Sequence, residues 1–188
     1  IGTMVGGTAG VAGGWIDEAL MRPSDFVIVL PAMYVVLALR AALPLVLPPA
    51  EVFALVGGIL ALVGWPIVAR GVRAIVASER ERDYAQAARA LGAGRARLLW
   101  RHLLPAARGF LAAQAALLVA AFILAEATLS YVGLGFPDPS VSWGVMLQEA
   151  ANVSAMADAP WTLAPAAGIF LVVLGVNLLA EGTQLGDD

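Results

Sequence analysis

The sequence predicts an all-α, polytopic membrane helix bundle. Three observations carry that prediction. The 188 residues are 61% hydrophobic and only 13% charged, with mean hydropathy +0.85. An ordinary soluble domain is about half apolar and a quarter charged, so this chain could not cover its apolar surface in water. Apolar stretches of the length that crosses a bilayer recur along it. The arginines gather in one segment between two of those stretches.

A spanning helix needs about 20 mostly apolar residues, and Ala50–Ala69, Ala106–Ala125 and Trp161–Ala180 qualify. A fourth span, Phe26–Leu47, is expected to kink at Pro31, with Arg40 snorkelling to the far interface. Ile1–Gly13 reads as the last part of a further span, so the chain is expected to be N-terminally truncated within one domain covering 1–188. Gly2, Gly6, Gly10 and Gly14 form a small-residue ridge on that helix, serving either a subunit contact or packing inside the chain's own bundle.

Nine of the eleven arginines lie between Arg70 and Arg108, whereas the segment Glu126–Pro160 has four acids and no arginine. The positive-inside rule therefore makes the loop 70–105 cytoplasmic and the loop 126–160 external. Cysteine and lysine are absent and histidine occurs once. Cys-based metal, redox and thiol chemistry, a multi-histidine metal site and a lysine phosphate loop are thereby excluded. His102 has no serine, acid or second histidine at a defined spacing, so no catalytic residue is assigned.

The loop 70–105 is organised. Ser78-Glu79-Arg80-Glu81 fits a capping box, helix formers run from Tyr84 to Leu91, and Gly92 offers a left-handed stop. A second helical stretch, Arg95–His102, is expected to end near Pro105. Ala85, Ala87, Ala88 and Ala90 leave the first helix with little bulk, which suits a groove on a partner or a lipid-facing surface flanked by arginines. Beyond the last turn of the 106–125 span, Ser142 is placed to cap a short interfacial helix from Trp143 to about Ala151, after the turn formers Gly135, Pro137, Asp138 and Pro139.

The order of residues in this loop resembles a family. Gln86-Ala87-Ala88, Gly92 and His102-Leu103-Leu104-Pro105 are similar to the E-A-A-x-x-x-G…L-P signature of ABC importer permease subunits. Further blocks resemble the dipeptide/oligopeptide/nickel branch, specifically its C-type partner. They are Gly13-Gly14-Trp15-Ile16-Asp17 with Met21-Arg22 and Asp25, Ala125-Glu126-Ala127 through Leu129-Ser130-Tyr131-Val132-Gly133-Leu134-Gly135, Pro139-Ser140 with Ser142-Trp143-Gly144, and Asn177-Leu178-Leu179 with Gly182.

The resemblance implies a bundle of the type I ABC importer permease kind and an ATP-driven, binding-protein-dependent importer, of di- or oligopeptides first and of nickel or oligosaccharide as alternatives. It implies a second permease subunit in a heterodimer, two cytoplasmic ATPases that hold the ATP and Mg, an extracytoplasmic binding protein, and no nucleic acid. This chain would be a transport subunit in the inner membrane without an ATPase site of its own. Asp83, Tyr84, Gln86, Ala87, Ala88, Leu91 and Gly92 would form the ATPase-coupling helix, with Gln86 in place of the usual glutamate. Glu126, Asn177 and Trp143 are expected along the solute path or gate, with an interfacial or interhelical structural role as the alternative for each. A self-sufficient secondary transporter is the competing class. It would call for paired ionisable residues at mid-bilayer or an inverted repeat.

Overall fold

The computed structural model describes residues 1–44, 47–136, 140–151 and 159–185, with no side chain described for Pro160 or from Leu179 onward. Pro137, Asp138, Pro139, Asp158, Asp187 and Asp188 fall outside this set, and only the backbone is described for Glu181 and Gly182. The described residues form helices and no strand: α1 (Gly2–Ala12), α2 (Gly14–Val29), α3 (Ala32–Ala41), α4 (Pro49–Arg80), α5 (Asp83–Ala90), α6 (Arg95–Leu98), α7 (Arg108–Tyr131), α8 (Trp143–Ala150) and α9 (Ala164–Leu185). Three stretches are long and apolar enough to cross a membrane, Pro49–Arg80, Arg95–Tyr131 and Trp161–Leu178, and α2 with α3 counts as a fourth only if taken together. Within the apolar windows of these three, just 33%, 17% and 11% of residues are buried within the chain, so most of their apolar surface is open.

The chain divides into two compact units. The first is built mainly from Ile1–Leu30 and Val63–Ala115. Its core joins Val11 of α1, Val72 and Val76 of α4, Ala85 of α5, and Leu98, Leu99 and Leu103. Lipid tails give apolar helices no reason to leave them, so close association depends on small residues that let backbones meet. The glycine ridge does this inside the chain. A Cβ on Gly2 would fall 2.6 Å from the Trp65 carbonyl, on Gly6 2.1 Å from that of Ala69, and on Gly10 2.9 Å from that of Arg73. Gly14 has no neighbour within 4 Å and belongs to a different job, the break between α1 and α2, where Gly13 and Gly14 have φ of 64° and 57°.

Several boundaries differ from the sequence reading. No straight span runs over Phe26–Leu47. Residues from Gly14 to Val29 form one helix, Leu30 is extended, and Pro31 is the cap residue of α3 rather than a kink inside it. Proline disfavours helical geometry in the residue before it, which is why the break falls at Leu30. The helix over Ala50–Ala69 does not stop there. It continues to Arg80, 32 residues in all, because Val72 and Val76 keep an apolar stripe on its inner side while Arg70 and Arg73 turn outward. The segment 70–105 is thus largely helix rather than loop.

The Ser78–Glu81 capping box is likewise absent. Ser78 lies within α4, whose own turns occupy its backbone, and the α5 cap position is Arg82, with no side-chain cap bond. The stretch from Arg95 does not end at Pro105. It widens into a π turn at Leu99–Leu103, tightens to a 3-10 turn at Leu104–Ala107, and enters α7. The wide turn accommodates the ring and missing N–H of Pro105 without ending the helix.

The second unit comprises Pro31–Leu62 and Ala116–Glu181. Arg40 does not snorkel: it is 1% exposed, and its guanidinium donates to the Pro44 carbonyl at 3.0 Å. The turn after α3 folds back to supply that one acceptor, while the buried Arg40 Nε has no partner among the described residues. α7 runs past Ala125 to Tyr131, which puts Glu126 on the helix rather than in a loop.

The ridge yields a stability test. Gly6→Ala should lower stability by about 1–3 kcal/mol through overpacking against the Ala69 backbone. Gly58→Ala, with nothing within 4 Å of its Cβ, should be neutral or stabilising by up to about 1 kcal/mol. Thermal unfolding of both variants in the same detergent compares them directly.

Candidate functional site

Two places collect the residues singled out by the sequence. The first is α5. Its C-terminus is a Schellman turn: Gly92, at φ 85°, donates to the Arg89 carbonyl at 2.9 Å and Ala93 to that of Ala88 at 3.0 Å. This is the stop that Gly92 predicts. The helix is held at its other end by Tyr84, whose hydroxyl donates to Glu79 at 2.6 Å and reaches the His102 carbonyl at 3.5 Å. Gln86 donates its amide to the Glu81 carbonyl at 2.9 Å, a bond a carboxylate could not make.

The small residues of α5 divide between two faces. Ala85 is fully buried, and Ala88 is partly buried against the core of the first unit. Asp83, Gln86, Ala87 and Ala90 face outward, and Leu91 is 90% exposed. Beside them Arg80, Arg89 and Arg95 line a basic cavity of ≈ 480 Å³ with Val11 and Ala12 at the end of α1. Arg80 also donates to the Gly10 and Val11 carbonyls at 3.3 and 3.4 Å, closing the C-terminus of α1.

The block from Gly13 to Asp25 acts on the same unit. Asp17 of α2 takes a two-pronged contact from Arg73 of α4, at 2.9 and 3.1 Å from Nε, and Asp25 pairs with Arg70. Met21 is buried against Ala9 and Ala69, while Trp15 is 77% exposed. These pairs were not legible as such in the sequence, because partners 45 and 56 residues apart carry no local signal.

The second place is the end of α7. A second Schellman turn closes this helix, with Gly133 at φ 81° donating to Ser130 at 3.0 Å and Leu134 to Leu129 at 2.8 Å. Gly135 and Gly144 then pass so close that a Cβ would lie 1.9 Å from Ser130 Oγ and 2.6 Å from the Ala127 carbonyl. This brings the start of α8 onto α7. Ser142 caps α8 as its sequence predicts, accepting from Val145 N–H at 3.2 Å. Its hydroxyl donates to Ser130 Oγ at 3.3 Å, which donates to Glu126 Oε1 at 2.6 Å.

Glu126 and Trp143, both singled out by the sequence, line one cavity of ≈ 430 Å³. Asn177 is not on its wall. The Asn177 amide donates to the Val173 carbonyl of its own helix at 2.8 Å. Ser130 was the missed member of this group. Its signal was the four-residue spacing from Glu126, which stacks the two side chains on one helix face.

With this geometry in place, the relatives fix the class. The family described as binding-protein-dependent transport system inner membrane component matches residues 2–184. The chain belongs to that family. It is 36% identical over 185 residues to a Brucella ovis protein named as a peptide permease, covering 98% of this chain and 59% of that one. It is 35% identical over 185 residues to the oligopeptide transport system permease protein OppC of Bacillus subtilis, covering 98% of this chain and 58% of that protein. With the dipeptide transport system permease protein DppC of Alkalihalophilus pseudofirmus the identity is 36% over 184 residues, covering 97% and 58%. The chain therefore spans about three fifths of the length of the curated relatives it matches.

The α5 anchor makes an alkaline titration informative. Burial first, then the hydrogen bond and charge of Glu79, push the Tyr84 phenol up to about 12, against a weaker opposing pull from Arg82. The protonated form is the one the fold favours. Its stabilisation is complete below the ordinary tyrosine value of about 10 and is lost as pH rises toward the folded value. Absorbance titration should show that Tyr84→Phe removes a phenol ionising at about 12, and that Glu79→Gln moves it down toward 10.

Proposed function

We propose that this chain is the translocating subunit of an ATP-driven peptide importer, and that α5 is the element through which partner ATPases move it. The observation that carries this reading is the outward surface of α5: small side chains, a nine-tenths exposed Leu91, and a glycine turn that fixes both. An apolar side chain so exposed beside a basic cavity suits insertion into a protein groove, with the arginines guiding approach. The nine-arginine segment supports a cytoplasmic position for this surface. The names of the relatives support peptides as the solute.

In this reading, closure of two ATPases draws α5 and its counterpart on a second permease subunit together. α5 packs on the lower half of α4 through Ala85 and Val76, so its displacement is passed to the spans as a rigid lever rather than absorbed by a slack loop. An extracytoplasmic binding protein delivers the solute to the opposite face. ATP and Mg are held by the ATPases, and this subunit supplies no catalytic residue.

The chain lacks cysteine, so single cysteines report cleanly. A cysteine at Ala87, on the open face, is expected to crosslink to one in the ATPase cleft in a manner that changes with ATP. Leu91→Asp should lower ATP-dependent uptake at least about tenfold, the loss of one well-buried interface contact, with the permease still present in the membrane. Normal uptake by Leu91→Asp together with no crosslink from Ala87 or Ala90 would remove the docking assignment.

A further inference from the structure

The ≈ 430 Å³ cavity at the end of α7 has an unusual wall. Phe53, Phe122, Phe136 and Trp143 make it aromatic, and Glu126 is its single charged group. The volume falls in the range of small-molecule sites. Glu126 is half-buried, and among the described residues it is the carboxylate that is neither exposed nor ion-paired. No arginine lines the cavity.

The polar support of Glu126 is all on one side. Val145 N–H, Ser142 O–H and Ser130 O–H donate in succession toward Oε1, so the chain of hydrogen bonds runs from the N-terminus of α8 into the carboxylate. This holds the carboxylate in place as an acceptor and leaves Oε2 without a described partner. A fixed carboxylate set among aromatic side chains suits a cation that also carries apolar bulk, since aromatic rings take up that bulk and their faces attract cations. A metal ion would want several oxygen or nitrogen ligands, which one carboxylate does not supply. A primary ammonium needs one strong acceptor and tolerates aromatic neighbours.

We infer that this cavity is a subsite for the amino-terminal ammonium of a peptide with an apolar first side chain, the ammonium on Glu126 and the side chain against Phe122 and Trp143. The inference rests on the reading of the chain as a peptide permease and names where in it the solute is held.

The test is direct binding to the assembled importer in nanodiscs without its binding protein, using radiolabelled leucyl-phenylalanine and its N-acetyl form. The free-amine peptide is expected to bind saturably and the acetylated one at least about tenfold more weakly. Glu126→Gln should bring that ratio to about one, while Glu126→Asp should keep a preference. Equal binding of the two forms, absence of saturable binding up to about 10 mM, or a preference retained in Glu126→Gln would each overturn the subsite.

If Glu126→Gln does not assemble, Trp143→Leu serves instead. It should weaken leucyl-phenylalanine more than glycyl-phenylalanine, whose first residue has no side chain to set against Trp143, and equal weakening counts against the proposal. ATP-driven uptake by wild-type proteoliposomes with binding protein is measured separately. Its failure would remove the importer reading while leaving the binding result standing, so the two are told apart.

Discussion

The close approach of α1 to α4 is the contact on which the first unit depends. In lipid there is no solvent to drive apolar helices together, so association has to come from backbone proximity and from polar contacts that cannot be made elsewhere. Gly2, Gly6 and Gly10 provide the first, lying on the carbonyl side of α4 between Trp65 and Arg73. That proximity lets Arg80 reach the end of α1 and sets α2 where Asp17 and Asp25 meet Arg73 and Arg70. It also gives the lower part of α4 a partner along its apolar side, and Val76 there is shared with Ala85 of α5. A methyl group on Gly6 would disturb this whole sequence of contacts at its origin.

The second unit relies on a different device, used twice in the chain. The Schellman turns at Gly92 and Gly133 end their helices on left-handed glycines, each with two backbone hydrogen bonds that stiffen the exit. At Gly92 the result is a short helix with a fixed tip, fit to transmit force. At Gly133 the exit directs the chain past Ser130 and lets Gly144 rest on Ala127, which brings the Ser142 cap within reach of Ser130. Precision at Glu126 follows from these caps, since each hydrogen bond of the relay joins residues whose backbones the turns have already placed.

Gln86 shows how a departure from a family pattern acquires a physical meaning. Its amide donates to the Glu81 carbonyl, tying α5 to the link that follows α4. A glutamate at this position would be free to engage a partner but could not make that bond. In the docking proposed above, Ala87, Ala90 and Leu91 supply shape and the nearby arginines charge.

The class of fold, the apolar stretches, the Gly92 stop, the Ser142 cap and the family were all legible in the sequence, because each is written in local composition, spacing or ordered motifs. The sequence also singled out Glu126, Ser142 and Trp143, which the structure brings to one cavity, but not Ser130 beside them. What it could not determine was the extent of α4, the break at Leu30, the burial of Arg40, or which alanines of α5 face out. The extent of α4 and the outward alanines of α5 depend on neighbours far along the chain, whereas Leu30 is set by the adjacent Pro31 and Arg40 is met by Pro44, four residues on. The stripe of Val72 and Val76 prolongs α4 only because α1 and α5 are there to receive it, and the Pro44 carbonyl shelters Arg40 only once the chain has turned. Local signals set what a segment can become; long-range packing selects among those states because burial and hydrogen bonding over many residues outweigh the propensity of any one.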